Sequence, residues 1–262
     1  MVLNPLGPGL ELAWDLVAML ISVFAVMMVV QINGIIRKSG KLSSDVTRKI
    51  VHIFAAPVFA VTWYLYSGDI YSRYFAMIVP ILFVLLFVGI GTGKVKNEAF
   101  VTSMSRSGDP KELLKGTLYY AIMIVIVTVL WFYYPANPLA FVIFGCLAGG
   151  DGFADIIGRK YGGNRKFGIG GAQKTVAGSI GMLFGSLLFS YVLIAIFSVE
   201  IAAFSLVTLF LPVLVISVVA TIVEALSPKN LDNWTVPIAV IVVVALFIYL
   251  MPAWWPFPLL SI

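Results

Sequence analysis

Apolar stretches of membrane length follow one another along the chain, near 12–32, 50–67, 73–91, 117–135, 138–157, 176–198, 201–223 and 235–252, each interrupted by charge, glycine or proline. A helix needs about 20 mostly apolar residues to cross a bilayer core. The pattern therefore predicts an all-α, polytopic integral membrane protein of about eight transmembrane helices, or seven if one stretch fails to cross. The same spacing leaves only short connections, so 1–262 reads as a single transmembrane domain without a soluble module or internal repeat. No Lys or Arg precedes Arg37 and the first stretch is long enough to span, so nothing resembles a cleavable signal peptide.

Composition agrees. With 61% hydrophobic and 11% charged residues, the chain is far from the roughly 25% charge of soluble domains. Intrinsic disorder is excluded by the same figures. The single Cys146 excludes a disulfide scaffold and is expected to be a buried thiol.

Basic residues give an orientation, because Lys and Arg near span ends stay on the cytoplasmic side. Arg37, Lys38, Lys41, Arg48 and Lys49 follow the first stretch; Lys94, Lys96, Arg106, Lys111 and Lys115 the third; Arg159, Lys160, Arg165, Lys166 and Lys174 the fifth; Lys229 the seventh. Only Arg73 of the 17 falls on the other side, which predicts that both termini are extracytoplasmic. Trp63, Tyr64, Tyr66, Trp131, Tyr133, Tyr134, Trp254 and Trp255 end stretches on the outer side and are expected to form an interfacial aromatic belt. The net charge of +5 then reports topology, and no nucleic-acid partner is implied. Short outer loops fit a prokaryotic plasma membrane, with a eukaryotic organelle left open as the alternative, and any site for water-soluble molecules faces the cytoplasm.

Charge at membrane depth is costly and usually marks function. Four clusters carry it. Arg48, Lys49 and His52 open the second stretch, with Arg48 and His52 on one helical face; an interfacial histidine is the simpler reading. In Gly150-Asp151-Gly152-Phe153-Ala154-Asp155, followed by Gly158-Arg159, the acids and the guanidinium recur every four residues. Two carboxylates so placed suit Mg²⁺, although a salt bridge between Asp155 and Arg159 explains them as well. The glycine-rich basic segment from Tyr161 through Lys166 to Lys174-Thr175-Val176-Ala177-Gly178-Ser179 offers backbone N–H groups and a helix start to phosphates. It is not a P-loop, because Gln173 stands where that motif requires glycine before the lysine; a linker is the alternative. Gly181 and Gly185, four apart, suit close helix packing. The fourth cluster, Glu224 to Asp232-Asn233, lies where the seventh stretch ends and the eighth begins; a polar turn explains part of it but not Glu224.

In this order the motifs resemble the polyprenol kinase family, which includes phytol, farnesol and dolichol kinases. Arg48-Lys49-x-x-His52 is similar to its RKxxH element. Ser105-Arg106-Ser107-Gly108 with Lys111-Glu112-Leu113-Leu114-Lys115-Gly116 and Tyr119-Tyr120 is similar to a stretch of phytol kinases, and the three later clusters resemble its central and final motifs. Ala177 stands where dolichol kinases and membrane cytidylyltransferases tend to carry glutamate, so the likeness is closest to the phytol kinase branch. Thr175 replaces the serine of many phytol kinases and keeps the hydroxyl.

The resemblance implies phosphoryl transfer from CTP or UTP, with Mg²⁺, to the hydroxyl of an isoprenoid alcohol of phytol, geranylgeraniol or dolichol type. The alcohol would come from the bilayer, the nucleotide from the cytoplasm, and the product would be a prenyl phosphate; a homodimer is one open oligomeric state. On this reading Asp151, Asp155, His52 and Glu224 are catalytic, and Asp151, Asp155 and Asp232 hold the metal. Arg48, Lys49, Arg159, Lys166, Lys174, Thr175, Gly178, Ser179 and Asn233 bind the nucleotide. A CDP-lipid-forming cytidylyltransferase, like phosphatidate or CDP-archaeol synthase, shares the central Asp and Lys motifs, but the late HGG…DR element of phosphatidate cytidylyltransferases is missing, since His52 is the sole histidine. A transporter would place polar groups along a path through the midplane, whereas here they crowd one face.

Overall fold

The computed structural model describes residues 3–40, 44–105, 107–132, 137–199, 201 and 203–260. Lys41, Arg106, Tyr133 and Tyr134 lie outside the described residues. Among the described residues ten α-helices run α1 (Glu11–Lys38), α2 (Ser44–Val61), α3 (Ser72–Gly91), α4 (Glu98–Met104), α5 (Gly116–Trp131), α6 (Leu139–Phe144), α7 (Asp151–Tyr161), α8 (Val176–Ser198), α9 (Leu206–Leu226) and α10 (Asp232–Leu250). There is no β-strand among the described residues. An isolated antiparallel bridge pairs Phe167 with Lys174.

Among the described residues, seven helical segments are long and apolar enough to cross a membrane: Glu11–Arg37, Ser72–Gly91, Pro110–Trp131, Leu139–Tyr161, Val176–Ser198, Leu206–Leu226 and Asp232–Leu250. The predicted second span is the difference. Its helix, α2, begins at Ser44, so Asp45, Arg48 and Lys49 fall within its first turns and dilute the apolar run that starts at Ile50. Along α8 the residues Ile180, Phe184, Leu188 and Val192 are all exposed, a four-residue repeat that forms one apolar stripe of the kind lipid covers.

The chain divides into two compact units, Met1–Phe132 and Tyr133–Ile262. In the first, α1 packs on α2 and α3, and α3 on α5, around Val30, Val51, Phe87, Ile90, Phe100 and Leu113. The fully buried Asp15 of α1 ties this unit together. Its carboxylate accepts from the Ser67 N–H and the Ser72 hydroxyl, both at 2.7 Å. Arg73, the one basic residue off the topology pattern, is buried and donates to the Val129 carbonyl at 3.3 Å.

The expected aromatic belt is corrected by the structure at Trp63, Tyr66, Trp131 and Trp255, which are buried. Trp63, Trp131 and Trp255 are 0%, 2% and 1% exposed. Trp63 packs on Phe132 with centroids 4.9 Å apart, and Trp255 on Phe257 at 5.7 Å. These indoles are core residues, burying their large apolar surface against neighbouring aromatic rings.

The second unit is built on a buried rod. A π-helical turn, Gly145–Gly150, joins α6 to α7, and every residue from Leu139 to Gly150 is buried, Cys146 among them. Phe141 stacks on Phe197 at 4.2 Å. α8 packs along the rod, α9 on α8, and α10 on α9.

Candidate active site

The seam between α7 and α8 is lined with glycine. A Cβ on Gly178 would stand 3.0 Å from the Ala154 carbonyl oxygen, and one on Gly158 would stand 3.2 Å from Gly178 Cα. On Gly185 it would strike the Gly149 backbone. The packing role expected of Gly181 and Gly185 is thus met and extends along the seam; small residues let the two backbones meet.

The segment joining these helices is a hairpin. Phe167 and Lys174 exchange two backbone hydrogen bonds, Phe167 N–H to Lys174 O at 3.0 Å and Lys174 N–H to Phe167 O at 2.7 Å. Gly170 and Gly171 turn its tip at φ of 57° and 79°, a region open to glycine. Gly170 lies against Pro228, where an added Cβ would come within 2.8 Å. Thr175, next to Lys174, is extended and caps α8: its Oγ1 accepts the Gly178 N–H at 3.0 Å. The backbone of Lys174 is therefore held from both sides.

Three acids converge on this lysine. Asp151 opens α7, Glu224 lies in the last turn of α9 and Asp232 opens α10. A tight turn links the latter two: Asn230 adopts a positive φ of 67°, the Leu231 N–H donates to Pro228 O at 3.1 Å, and the Ser227 and Thr235 hydroxyls bond across it. One carboxylate oxygen from each acid lies within 4.8 Å of the other two. Lys174 Nζ donates to Glu224 and, at 3.1 Å, to Asp232. The side chains of Lys174, Glu224 and Asp232 are only 15%, 3% and 19% exposed. Burial by itself would pull the Lys174 ammonium down, but Asp232, then Glu224 and Asp151, outweigh it and hold it above the ordinary lysine range.

The donor set fits a divalent cation. Three carboxylates from three helices offer the hard oxygens that Mg²⁺ takes, and an ammonium already seated between two of them shows a geometry that holds positive charge. These carboxylates would be the ones to hold a metal.

Other candidates are placed elsewhere. Asp155 pairs with Arg159 one turn on, at 2.9 Å, with the guanidinium 43% exposed, and is not among the three converging acids. Thr175 and Gly178 spend their hydroxyl and N–H on the helix cap. Lys166 reaches Gln173 at 3.0 Å on the exposed hairpin. The Ser179 hydroxyl oxygen is buried without a hydrogen-bond partner among the described residues. Asn233 is buried, and its N–H meets the Asp232 carboxylate at 3.1 Å.

Arg48, Lys49 and His52 belong to the first unit, on α2. Lys49 is buried there, Arg48 and His52 half-buried. The His52 ring lies against Tyr120 with centroids 4.2 Å apart, and Tyr120 donates its hydroxyl to the His52 carbonyl at 2.8 Å. The serine-rich motif after α4 folds as a self-bonded turn: Ser105 Oγ accepts the Gly108 N–H at 2.7 Å and Ser107 donates to Glu112 at 3.0 Å. Its Leu113 enters the core. Asp15 lies outside the four polar clusters of the sequence, although a carboxylate four residues into an apolar stretch is the available signal. The π-helical turn is not marked by those clusters either, announced only by Gly145, Gly149 and Gly150.

Among known proteins, the chain is 37% identical over 207 residues to the probable phytol kinase 2, chloroplastic, of Oryza sativa subsp. japonica, covering 77% of this chain and 66% of the relative. The farnesol kinase, chloroplastic, of Arabidopsis thaliana is 36% identical over 209 residues, covering 78% and 66%. Phytol kinase 1, chloroplastic, of the same plant is 33% identical over 207 residues, covering 78% of this chain and 67% of its own length. The chain belongs to the phytol kinase-like polyprenol kinase family. It spans just under two thirds of the first of these polyprenol kinases. No family model and no solved structure matches it. The printed names of these plant polyprenol kinases are chloroplastic, so they lend no support to a prokaryotic plasma membrane.

Proposed function

We propose that the chain is a membrane prenol kinase that transfers the γ-phosphoryl group of a nucleoside triphosphate, CTP or UTP, to the hydroxyl of an isoprenoid alcohol, giving a prenyl phosphate. Kinship with phytol and farnesol kinases supports the reaction class. The observation that carries it to residues is the meeting of Asp151, Glu224, Asp232 and Lys174 in one partly buried cluster.

In the reaction the alcohol oxygen forms a bond to the γ-phosphorus while the bond from that phosphorus to the β,γ-bridging oxygen breaks. The nucleoside diphosphate leaves with that oxygen, and the hydroxyl proton passes to a carboxylate. Such transfers depend on positioning and charge neutralisation. Asp151, Glu224 and Asp232 would hold Mg²⁺, which neutralises phosphate oxygens when bound. Lys174 adds a positive charge aimed by its pinned backbone, and Arg159 and Lys166 supply exposed cations for the outer phosphates. The low exposure of Glu224 keeps water from competing with the alcohol. Asp155 orients Arg159; Arg48, Lys49 and His52 are nucleotide-contacting candidates on motif resemblance. Ser179 and Asn233 offer a hydroxyl and an amide.

We place this site on the cytoplasmic face or its organellar equivalent, where the basic residues gather. In this orientation α2, continued by the 3₁₀ turn Thr62–Leu65, is the eighth crossing. At about 1.5 Å per α residue and 2 Å per 3₁₀ residue, its run from Ser44 to Leu65 reaches about 35 Å, against a core of about 30 Å.

The test is product analysis. Purified protein is incubated with Mg²⁺, each of CTP, UTP and ATP, and a panel of phytol, geranylgeraniol, farnesol, dolichol and phosphatidic acid. Prenyl monophosphate with nucleoside diphosphate is expected; a CDP-lipid with pyrophosphate would establish nucleotidyl transfer instead.

A further inference from the structure

Lys174 is drawn into the acids rather than outward to solvent, and its position there is specific. Its ammonium bonds Glu224 and Asp232 together. Asp151 adds attraction from a third helix. The backbone beneath it is clamped by the Phe167 pair and by the Thr175 cap, so the four-carbon stem is the part free to swing. A partly buried group of three carboxylates repels itself unless a cation sits among them. A divalent ion and the ammonium compete for the same oxygens.

We propose that Lys174 is the resident cation of the acidic site: in the metal-free protein its ammonium stands in for the divalent ion among Asp151, Glu224 and Asp232, and entry of that ion releases it toward the donor phosphates. This rests on the site reading above and adds an order of events. The acids are kept preassembled at the cost of metal affinity, and the charge the lysine brings to the phosphates becomes available only once the site is loaded. Lys174 thereby acts twice, first as a positioning residue for the carboxylates and then as a phosphate ligand.

The test is a Mn²⁺ titration followed by electron paramagnetic resonance on the full chain in detergent, without nucleotide or alcohol, for wild type, K174M, E224Q and D232N. K174M should bind Mn²⁺ about tenfold more tightly or better, because two charge-assisted hydrogen bonds no longer have to be broken, while E224Q and D232N weaken binding. In EDTA the thermal midpoint of K174M should fall below wild type, and added Mg²⁺ should raise it by more than it raises wild type. Should K174M unfold without metal, it is prepared in Mg²⁺, which the proposal requires to rescue it. Failure to fold in saturating Mg²⁺ overturns the proposal. So does an unchanged or weaker Mn²⁺ affinity in K174M when E224Q and D232N still lose the ion. If all four proteins bind Mn²⁺ alike, the acids are not the metal site, and the functional reading falls together with this one.

Discussion

The glycine seam sets how closely the acid of α7 approaches the lysine that precedes α8, and Gly181→Ala tests this. A Cβ at Gly181 would stand 2.7 Å from the Phe153 carbonyl oxygen and 3.0 Å from its carbon. Comfortable contact begins at 3.4 Å, a deficit of about 0.7 Å that two rigid backbones must absorb by parting. Overpacking of this kind costs about 1–3 kcal/mol, against a gain of up to about 1 kcal/mol from replacing glycine inside a helix. From the middle of the overpacking range the net expectation is a loss of about 1–2 kcal/mol. Gly34→Ala is the matched control, since a Cβ there meets nothing within 4 Å and only the gain of up to about 1 kcal/mol applies. The two substitutions should therefore move the thermal midpoint in detergent in opposite directions. A misplacement of about 1 Å can cost on the order of 100-fold in rate, so G181A should also lower kcat by about tenfold or more, read as nucleoside diphosphate released. Wild-type kcat and a midpoint that rises as in G34A would refute the view that the seam spaces the site.

Asp151→Asn, Glu224→Gln and Asp232→Asn should each reduce kcat by about 10²–10³-fold, the scale of removing one electrostatic contact at a reacting centre, with helical circular dichroism unchanged. Asp155→Asn should stay within about tenfold of wild-type kcat and within about 1 kcal/mol in stability, as for an exposed ion pair; a loss matching D151N would move Asp155 into the metal set. Thr175→Ala should cost about 1 kcal/mol as a lost helix cap while Thr175→Ser costs little, and unfolding midpoints in detergent distinguish them. Asp15→Ala leaves two buried donors without their acceptor, about 1–3 kcal/mol each; its midpoint should drop while KM for nucleotide holds, and a changed KM would contradict a purely structural role.

Asp151, Glu224, Asp232 and Lys174 are all legible in the sequence as candidates, because charge among apolar residues persists only where something compensates for it. Their mutual arrangement is not. Asp151 and Asp155 share a helical face, but four residues of rise separate them by about 6 Å, and Asp155 turns to Arg159 instead. That Lys174 faces the acids depends on the bridge to Phe167, which a glycine-rich segment does not announce. Thr175 and Gly178 read equally well as phosphate ligands or as a cap, since both uses need a hydroxyl and free N–H groups at a helix start. Trp63, Trp131 and Trp255 were misplaced because a residue at the end of an apolar run can face lipid headgroups or a neighbouring helix, and only packing decides. The spans are legible from length and hydropathy; only the stretch at 50–67 has no counterpart among the seven apolar segments, because α2 begins at Ser44 and takes Asp45, Arg48 and Lys49 into its first turns.

The π-helical turn ahead of Asp151 has an angular consequence. Each residue advances an α-helix by about 100°, and a turn with i to i+5 bonding takes in an extra residue. Removing one residue from Gly145–Gly150 would leave an apolar rod of nearly the same length and hydropathy, yet rotate everything after it by roughly a quarter of a revolution or more. Asp151 would then point away from Glu224 and Asp232, and the acids would no longer share a centre. The site is therefore sensitive to the phase of one helix, a quantity that hydropathy does not register and that point substitutions along the rod leave untouched.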